Sequence, residues 1–449
     1  MNDAQVVQQG RGMMRWVVLL AMSLVVFSNY YLYDCFSTLK GIVQVDLAAT
    51  STDWALIRNF YNVPNTFLFM ALLGGIFLDR FGIRKTGFVF TLLCALGGII
   101  TAYGVSDVFR GGGFGYEFMA SFLPGYSPEL KMMMFGRLLF GLGAETQIVM
   151  LNKVLAKWFK GKELAFAFGV SLTIARLGSY MADLSPTWAD FAYAGGWQPP
   201  LVVAAVIGSL CLICAILYGV LEVLAKRRYT LGEAGASDKL VIRDLFTFSR
   251  SFWYITLLCV VFYSAIFPFR SFSIKYFIEG WDLARNVAGQ FNSVLPLAAM
   301  IATPIFGLMC DKLGKRALFM VFGSIILMPV YLMMAYQVVP LTVPVIMMGI
   351  AFSLIPAIMW PAVAYIVEER RLGTAYAVMF LIQQLGVAGM NWLIGRTNDA
   401  YGANAANPDG YIPMMLAFSV LGVLGLIFAV LLRREEMGPR GHGLETIKA

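Results

Sequence analysis

Histidine and charged side chains are scarce in this chain. Only one of its 449 residues is a histidine, His442, and Asp, Glu, Lys and Arg together make up 13%. A single histidine in the C-terminal tail excludes a histidine proton switch inside a transport path, a Ser–His catalytic pair and an HExxH metal site. We therefore predict that the chain is not an enzyme and that it holds no cofactor or metal.

Cysteine and glycosylation signals are also sparse. All six cysteines lie in or at the ends of apolar segments, and the Cys211-x-x-Cys214 pair has no acidic or histidine partner nearby in sequence. Packing is therefore the expected role of these thiols, rather than metal or redox chemistry. No Asn-x-Ser/Thr triplet occurs, which fits a bacterial membrane better than a glycosylated eukaryotic one.

Apolar residues, by contrast, are abundant along the whole length. They make up 59% of the sequence, against roughly 45–50% in soluble domains, and the mean hydropathy is +0.73. A helix that crosses a bilayer needs about 20 apolar residues. We predict an all-α membrane protein with twelve such helices, at residues 15–39, 53–78, 86–105, 131–157, 164–186, 198–222, 250–271, 286–309, 317–337, 342–366, 373–396 and 412–432.

The basic residues are placed unevenly. The net charge is +8, but most Lys and Arg fall in the two tails and in alternate loops, which is typical of cytoplasmic segments rather than of a nucleic-acid binder. Both termini are therefore predicted to be cytoplasmic. The polar stretch 223–249 predicts a linker between two six-helix bundles, 15–222 and 250–432, and 433–449 predicts a cytoplasmic tail.

An internal repeat supports the two-bundle organisation, because a Gly-x-x-x-Asp motif with basic residues follows the second span of each half. The motif can fix a helix end closely against its neighbour, with the Asp accepting hydrogen bonds from a helix N-terminus. Repeats of this kind are typical of transporters that bind substrate between two halves. The residues of this predicted gating motif are Gly75, Asp79, Arg80, Gly82, Arg84 and Lys85, then Gly307, Asp311, Lys312, Gly314 and Arg316.

These residues resemble motif A of the major facilitator superfamily, and Arg137-Leu-Leu-Phe-Gly-Leu-Gly resembles its motif B. Longer strings, among them FYNVPN, WFKGKELAFAFG and LGTAYAVMFLIQQLG, are similar to the branch that includes the lysosomal dipeptide uniporter of animals. The resemblance covers about residues 15–432. It implies the two-bundle major facilitator fold and alternating-access transport of dipeptides. It also implies that Glu145 and Arg176, which match an acid and a base of that branch, bind the peptide termini.

The same two residues stand out by their position in apolar spans. Glu145 is near the middle of the fourth span and Arg176 near the middle of the fifth, and these antiparallel helices place them at similar depth. Ionisable groups at such depth usually face a cavity or a partner. A carboxylate can receive an α-ammonium group, and the arginine fork can hold an α-carboxylate. The alternative is an internal Glu145–Arg176 ion pair that only orders the bundle.

Other polar or aromatic residues in apolar spans are candidates for the same cavity, although each alone is more often a packing residue. Asp34 is a candidate proton acceptor or vestibule residue. Pro64, in the second span, marks a place where a helix can bend. The further candidates for substrate contact are Tyr61, Asn65, Tyr263, Asn292, Trp360, Gln383 and Gln384.

Arg270 and Lys153 depart from the lysosomal pattern, which is uncharged at these positions. Extra positive charge in a transport path would favour a more anionic substrate, such as an acidic dipeptide or an organic acid. The alternative is that these side chains contact only the rim or the lipid headgroups. Both are therefore kept as vestibule candidates.

The leading hypothesis is a transporter of short peptides in a bacterial inner membrane. The alternatives are a proton-coupled symporter of a small organic anion or amino acid and, in a different class, a membrane sensor or scaffold. We expect a zwitterionic or peptide substrate, the lipid bilayer as surroundings, no nucleic acid and a monomer, and an accessory subunit is not implied. Lysosomal localisation is not implied, because the tails carry no acidic-dileucine signal.

Overall fold

The computed structural model describes residues 3–159, 163–196, 198–227, 248–368 and 371–446, and its regular structure in these ranges is helical. Most of the predicted linker 223–249 lies outside the described residues. The helices are α1 Asp3–Asp34, α2 Lys40–Leu47, α3 Ser51–Phe67, α4 Met70–Phe81, α5 Ile83–Tyr103, α6 Asp107–Arg110, α7 Tyr116–Ala120, α8 Pro128–Phe159, α9 Leu164–Asp183, α10 Ser185–Trp188, α11 Asp190–Tyr193, α12 Gln198–Lys226, α13 Arg250–Gly280, α14 Arg285–Leu313, α15 Arg316–Leu327, α16 Val330–Ala335, α17 Thr342–Ile366, α18 Leu372–Ala400 and α19 Ile412–Glu436.

The predicted spans coincide with the long helices. Within the described residues, ten helices or helix pairs are long and apolar enough to cross a membrane, and α3 with α4 would make an eleventh. The remaining predicted span, the fifth, coincides with α9, which is 20 residues long. The all-α membrane fold predicted from hydropathy is confirmed.

The second predicted span is not one straight helix. It is divided into α3 and α4, which are bent by 60° relative to each other. Phe69, at the break, has a left-handed backbone with φ of 51°. Pro64 lies one turn earlier, and its missing N–H removes one hydrogen bond of the helix just before the break.

Contacts divide the chain into two units. Unit 1 consists of Met1–Cys35, Phe60–Ala182 and Ala189–Ser237, and unit 2 consists of Phe36–Asn59, Asp183–Trp188 and Asp238–Ala449. Unit 2 therefore includes the segment from the end of α1 to the middle of α3, and the residues that directly follow Ala182 in α9. The predicted boundaries at 222 and 250 follow the order of the spans and stay a prediction.

In unit 1, α8 packs against α5, α4 and α1, and α12 packs against α5 and α1. A buried apolar cluster that includes Val18, Met22, Val154 and Trp158 fills the space between these helices. In unit 2, α13 packs against α18 and α19, and α17 packs against α14 and α15. The helices that carry Glu145, Tyr263 and Trp360, namely α8, α13 and α17, are thus held by neighbours of their own unit.

Gly136 and Gly97 allow α8 and α5 to approach closely. A Cβ on Gly136 would lie 2.3 Å from Thr101 Oγ1 and 2.7 Å from the Gly97 carbonyl oxygen. Both distances are too short for real contacts, and the carbonyl belongs to the backbone. A side chain at this position therefore has to separate the two helices.

We expect Gly136→Val to destabilise the protein by about 1–3 kcal/mol or more, because overpacking against backbone cannot be relieved by a rotamer change. Thermal unfolding in detergent, followed by size-exclusion chromatography, would measure the loss. Gly169→Val is the matched control, since Gly169 is also helical and a Cβ there meets nothing within 4 Å. Equal melting of the two variants would contradict the close-approach argument.

Candidate functional site

The carboxylate of Glu145 is bound by a tyrosine. Glu145 lies on α8 and is only 8% exposed, and the Tyr61 hydroxyl from α3 donates a hydrogen bond of 2.7 Å to its Oε1. No ion pair of Glu145 occurs among the residues that the structure describes. The internal Glu145–Arg176 ion pair, considered from the sequence, is therefore not formed in this structure.

Arg137 is the second buried charge on α8, two turns before Glu145. It is 1% exposed, and its Nη1 donates a 3.0 Å hydrogen bond to the Leu32 carbonyl oxygen. The guanidinium carbon lies 5.7, 5.5 and 5.1 Å from the ring centres of Tyr33, Tyr61 and Phe140. These rings stabilise the cation through their faces. Tyr61 thus contacts Arg137 with its ring and Glu145 with its hydroxyl group.

Arg176 on α9 is partly buried, and its guanidinium carbon lies 5.4 Å from the ring centre of Tyr30 on α1. Asn29, the preceding residue of α1, donates a hydrogen bond of 3.4 Å to the carbonyl oxygen of Ala144, next to Glu145. Two adjacent residues of α1 therefore contact the Arg176 side chain and the backbone beside Glu145. These contacts are consistent with a similar level of the acid and the base in unit 1, which stays a prediction.

Several of the aromatic candidates form a cluster within unit 2. Trp360 on α17 donates its indole N–H to the Tyr263 hydroxyl of α13 at 2.9 Å, and Tyr376 on α18 donates to the Trp360 carbonyl oxygen at 3.1 Å. The ring of Phe267 stacks on that of Tyr263, with centres 5.4 Å apart and planes inclined by 11°. Hydrogen bonds and stacking fix these rings, so the cluster presents a preformed apolar and polarisable surface.

Asn292 and Arg270 are joined by an acid that was not singled out from the sequence. Arg270 Nη2 lies 2.7 Å from Asp183 Oδ2, and Asn292 Nδ2 donates to Asp183 Oδ1 at 2.7 Å. Ser273 Oγ in turn donates to Asn292 Oδ1 at 2.7 Å. Asp183 and Arg270 are 0% and 1% exposed. The only sequence signal for this pair was an aspartate inside the predicted span 164–186.

The remaining polar candidates contact protein groups nearby. Asn65 Nδ2 donates to the Tyr61 carbonyl oxygen at 3.1 Å, one helical turn away. Gln383 Oε1 accepts a 3.6 Å hydrogen bond from the Cys259 thiol, and Gln384 is buried on the same helix. Asp34 is 2% exposed at the end of α1. These placements support packing roles as much as substrate contact.

Each copy of the predicted gating motif contains an aspartate in an ion pair. Asp79 is bound by Lys153 of α8 in unit 1, and Asp311 Oδ1 lies 2.9 Å from Arg316 Nη2 in unit 2. Gly82 and Gly314, which end α4 and α14, have φ of 84° and 76°, where only glycine is unstrained. Lys153, expected at a vestibule, thus binds the motif Asp. The other motif residues are Gly75, Arg80, Arg84, Lys85, Gly307 and Lys312.

Unit 1 also contains a cavity of about 870 Å³. It is enclosed by the loop between α5 and α8 and by the start of α8, with Phe114, Phe118, Lys131 and Phe135 in its wall. None of the predicted site residues lines it. We therefore give the site of Glu145 more weight than this cavity, because an ionisable group deep in a span is a stronger functional signal than volume alone.

Comparison with known proteins gives matches over nearly the whole chain. The model of the Major Facilitator Superfamily matches residues 22–390 and 271–446. The lysosomal dipeptide transporter MFSD1 of Danio rerio is 31% identical over 427 residues, which cover 93% of this chain and 86% of the relative. The probable sulfoacetate transporter SauU of Cupriavidus necator is 21% identical, covering 91% and 92% of the two chains.

Among solved structures, a bacterial homologue of the human lysosomal transporter Spinster, in an inward-facing and unoccupied conformation, superposes with a TM-score of 0.69. Its sequence is 16% identical, and the match covers 97% of this chain and 99% of that one. At this identity the likeness concerns the fold alone.

Proposed function

Because this chain belongs to the Major Facilitator Superfamily, we propose that it carries short peptides, and dipeptides in particular, across the membrane by alternating access. The observation that carries the proposal is the hydrogen-bond partner of Glu145. Its carboxylate lies inside a predicted membrane span, and its described partner is a tyrosine hydroxyl rather than a cation. A buried carboxylate of this kind is costly unless a positive group binds it. The α-ammonium of a peptide is such a group.

Arg176 supplies the complementary contact. Its planar fork matches a carboxylate with two parallel hydrogen bonds, and Glu145 and Arg176 are predicted to lie at a similar level of unit 1. A dipeptide carries its ammonium and its carboxylate at opposite ends, so one acid and one base can bind both termini without contacting the side chains. The MFSD1 relatives are named as dipeptide transporters, which supports the same substrate class for this chain.

The aromatic cluster of unit 2 is a second, separate group of proposed substrate contacts. Tyr263, Phe267 and Trp360 offer ring faces and edges, which interact with many apolar side chains without demanding one shape. Polar groups of the cluster are already hydrogen-bonded to each other, so they add little selectivity. We therefore expect the protein to accept dipeptides with many different side chains but to require both a free amino and a free carboxyl terminus.

An organic anion is the second candidate cargo, and the likeness to a probable sulfoacetate transporter favours it. Its main support in the sequence was the extra positive charge of Arg270 and Lys153. In the structure these two cations are bound by Asp183 and Asp79. Their charge is therefore balanced inside the protein, and this lowers the weight of an anionic substrate.

The ion pairs of Asp79 and Asp311 are proposed to be the gating contacts of the motif loops. Each joins the end of one helix to a basic residue nearby in its own unit, so it can hold a loop in place and be released when helices move. The protein is a multi-pass membrane protein. We propose a bacterial inner membrane, cytoplasmic termini and a monomeric carrier.

Counterflow in liposomes tests the function. Purified protein is reconstituted into vesicles loaded with unlabelled dialanine, and uptake of labelled dialanine from outside is followed against protein-free vesicles. We expect exchange of dialanine but little exchange of alanine, which brings the two termini too close together. Uptake of succinate or sulfoacetate driven by acidification, without peptide exchange, would instead support the anion symporter. Absence of any solute movement would support a non-transporting sensor.

A further inference from the structure

Unit 1 carries an apolar groove with two arginines at one end. The groove has a volume of about 590 Å³ and is lined by residues of α5 and α12 together with Arg227. Helix α5 begins at Ile83 and α12 ends at Lys226, so Arg84 and Arg227 lie at the same end of the two antiparallel helices. The rest of the described lining is apolar.

The apolar part of the groove continues from the arginines into the span. Phe88 follows Arg84 by one helical turn, and Val220 and Ile216 precede Arg227 by about two and three turns. These three side chains are 43%, 52% and 48% exposed. Between them, a Cβ on Gly219 would meet nothing within 4 Å. The groove is therefore open along its length and deep enough at Gly219 to receive a chain of methylene groups.

No carboxylate among the described residues forms an ion pair with the guanidinium group of Arg84 or Arg227, and both side chains are exposed. Glu222, an acid near the end of α12, is already bound by Lys157. Exposed apolar surface alone is expected on any membrane span, but two exposed arginines without an acidic partner among the described residues favour a negatively charged occupant.

We propose that this groove binds one anionic phospholipid, with its phosphate on Arg84 and Arg227 and an acyl chain along Phe88, Val220 and Gly219. Arginine holds phosphate through two parallel hydrogen bonds, and basic pockets between spans on the cytoplasmic side are suited to anionic headgroups. Arg84 also belongs to the loop of the gating motif. A bound lipid would therefore hold that loop at the membrane surface, next to the Asp79–Lys153 ion pair.

Native mass spectrometry of the full-length, delipidated protein tests the site. Phosphatidylglycerol and phosphatidylcholine with identical acyl chains are titrated separately, so that the charge of the headgroup is the only difference. We expect one phosphatidylglycerol to bind at least tenfold more tightly than phosphatidylcholine. The double variant Arg84→Gln/Arg227→Gln should remove this preference. Gly219→Leu should weaken the binding of both lipids, because the larger side chain fills the groove.

Two matched variants control for general effects. Arg434→Gln removes an exposed arginine at the end of α19, and Gly389→Leu fills open space on α18; both should leave lipid binding unchanged. Equal binding of the two lipids by the unaltered protein would overturn the proposal, and so would an undiminished preference in the double arginine variant. Full displacement by millimolar inorganic phosphate would show that the groove recognises phosphate alone, which also contradicts a lipid site. Because the readout is lipid binding, a failure here is independent of which solute the protein carries.

Discussion

Glu145→Gln is expected to reduce dipeptide counterflow by about 30-fold or more, with a similar loss for Arg176→Ala. Removing one member of a buried, hydrogen-bonded charge contact costs about 2–5 kcal/mol, and each 1.4 kcal/mol corresponds to tenfold in affinity. The measurement is the initial rate of exchange of labelled dialanine at several concentrations. Glu129→Gln is the control, because Glu129 lies in the first turn of the same helix, where its described partner is Arg110 at 4.0 Å.

Blocked peptides assign each residue to one terminus. An N-acetylated dipeptide has no ammonium group, so it should bind poorly to the unaltered protein. Its affinity should not fall further in the Glu145→Gln variant. A C-amidated dipeptide should behave in the same way towards Arg176→Ala. This is a double-mutant cycle in which the second change is made in the substrate. The assignment of the termini is wrong if either variant exchanges dialanine normally. It is also wrong if blocking a terminus weakens peptide binding by the same factor in the unaltered protein and in both variants.

Tyr61→Phe separates the charge from its hydrogen bond. The variant keeps the ring beside Arg137 but removes the only hydroxyl donor that the described residues offer to Glu145. We expect Tyr61→Phe to reduce dialanine counterflow less than Glu145→Gln does, since a hydrogen bond to a charged group contributes about 1.5–3 kcal/mol. A loss as large as that of Glu145→Gln would indicate that Tyr61 itself contacts the substrate.

Hydropathy and loop charge predicted the spans because each span is a local property of about 20 consecutive residues. The resemblance to the major facilitator superfamily, and to the branch of the lysosomal dipeptide transporter, is confirmed by the matches over 93% of the chain. The bend between α3 and α4 could not be located in the same way. Proline is common in transmembrane helices, and whether one bends a helix depends on its neighbours.

Partners distant in sequence were the hardest to predict. Arg270 and Asp183 are 87 residues apart, and nothing in a single sequence links them without a fold. The sequence suggested a helix N-terminus as a partner of Asp79 and did not point to Lys153, which forms an ion pair with it in the structure. That expected geometry occurs elsewhere in unit 2, where the Asp399 carboxylate accepts hydrogen bonds of 2.7 and 2.8 Å from the Ser51 and Thr52 N–H groups at the start of α3.

Asp183 and Arg270 are expected to give the largest stability effect in the molecule. Arg270→Gln leaves a carboxylate with 0% exposure without its cation, and breaking a buried ion pair in this way costs about 3–5 kcal/mol. Thermal unfolding in detergent would measure the loss. Arg110→Gln breaks the partly exposed contact with Glu129 and should cost at most about 1 kcal/mol.

The double variant Asp183→Asn/Arg270→Gln distinguishes charge from shape. Asp183→Asn is isosteric, whereas Arg270→Gln shortens the side chain in the double variant as it does in the single one. The double variant removes both charges, so the uncompensated carboxylate of the single variant is gone. We expect most of the loss to be recovered, with a coupling of about 2 kcal/mol or more between the two sites. If the double variant is as unstable as the sum of the single variants, the pair does not act as an ion pair. The contact would then be one of packing, and the cost of Arg270→Gln would come from the lost volume of its side chain.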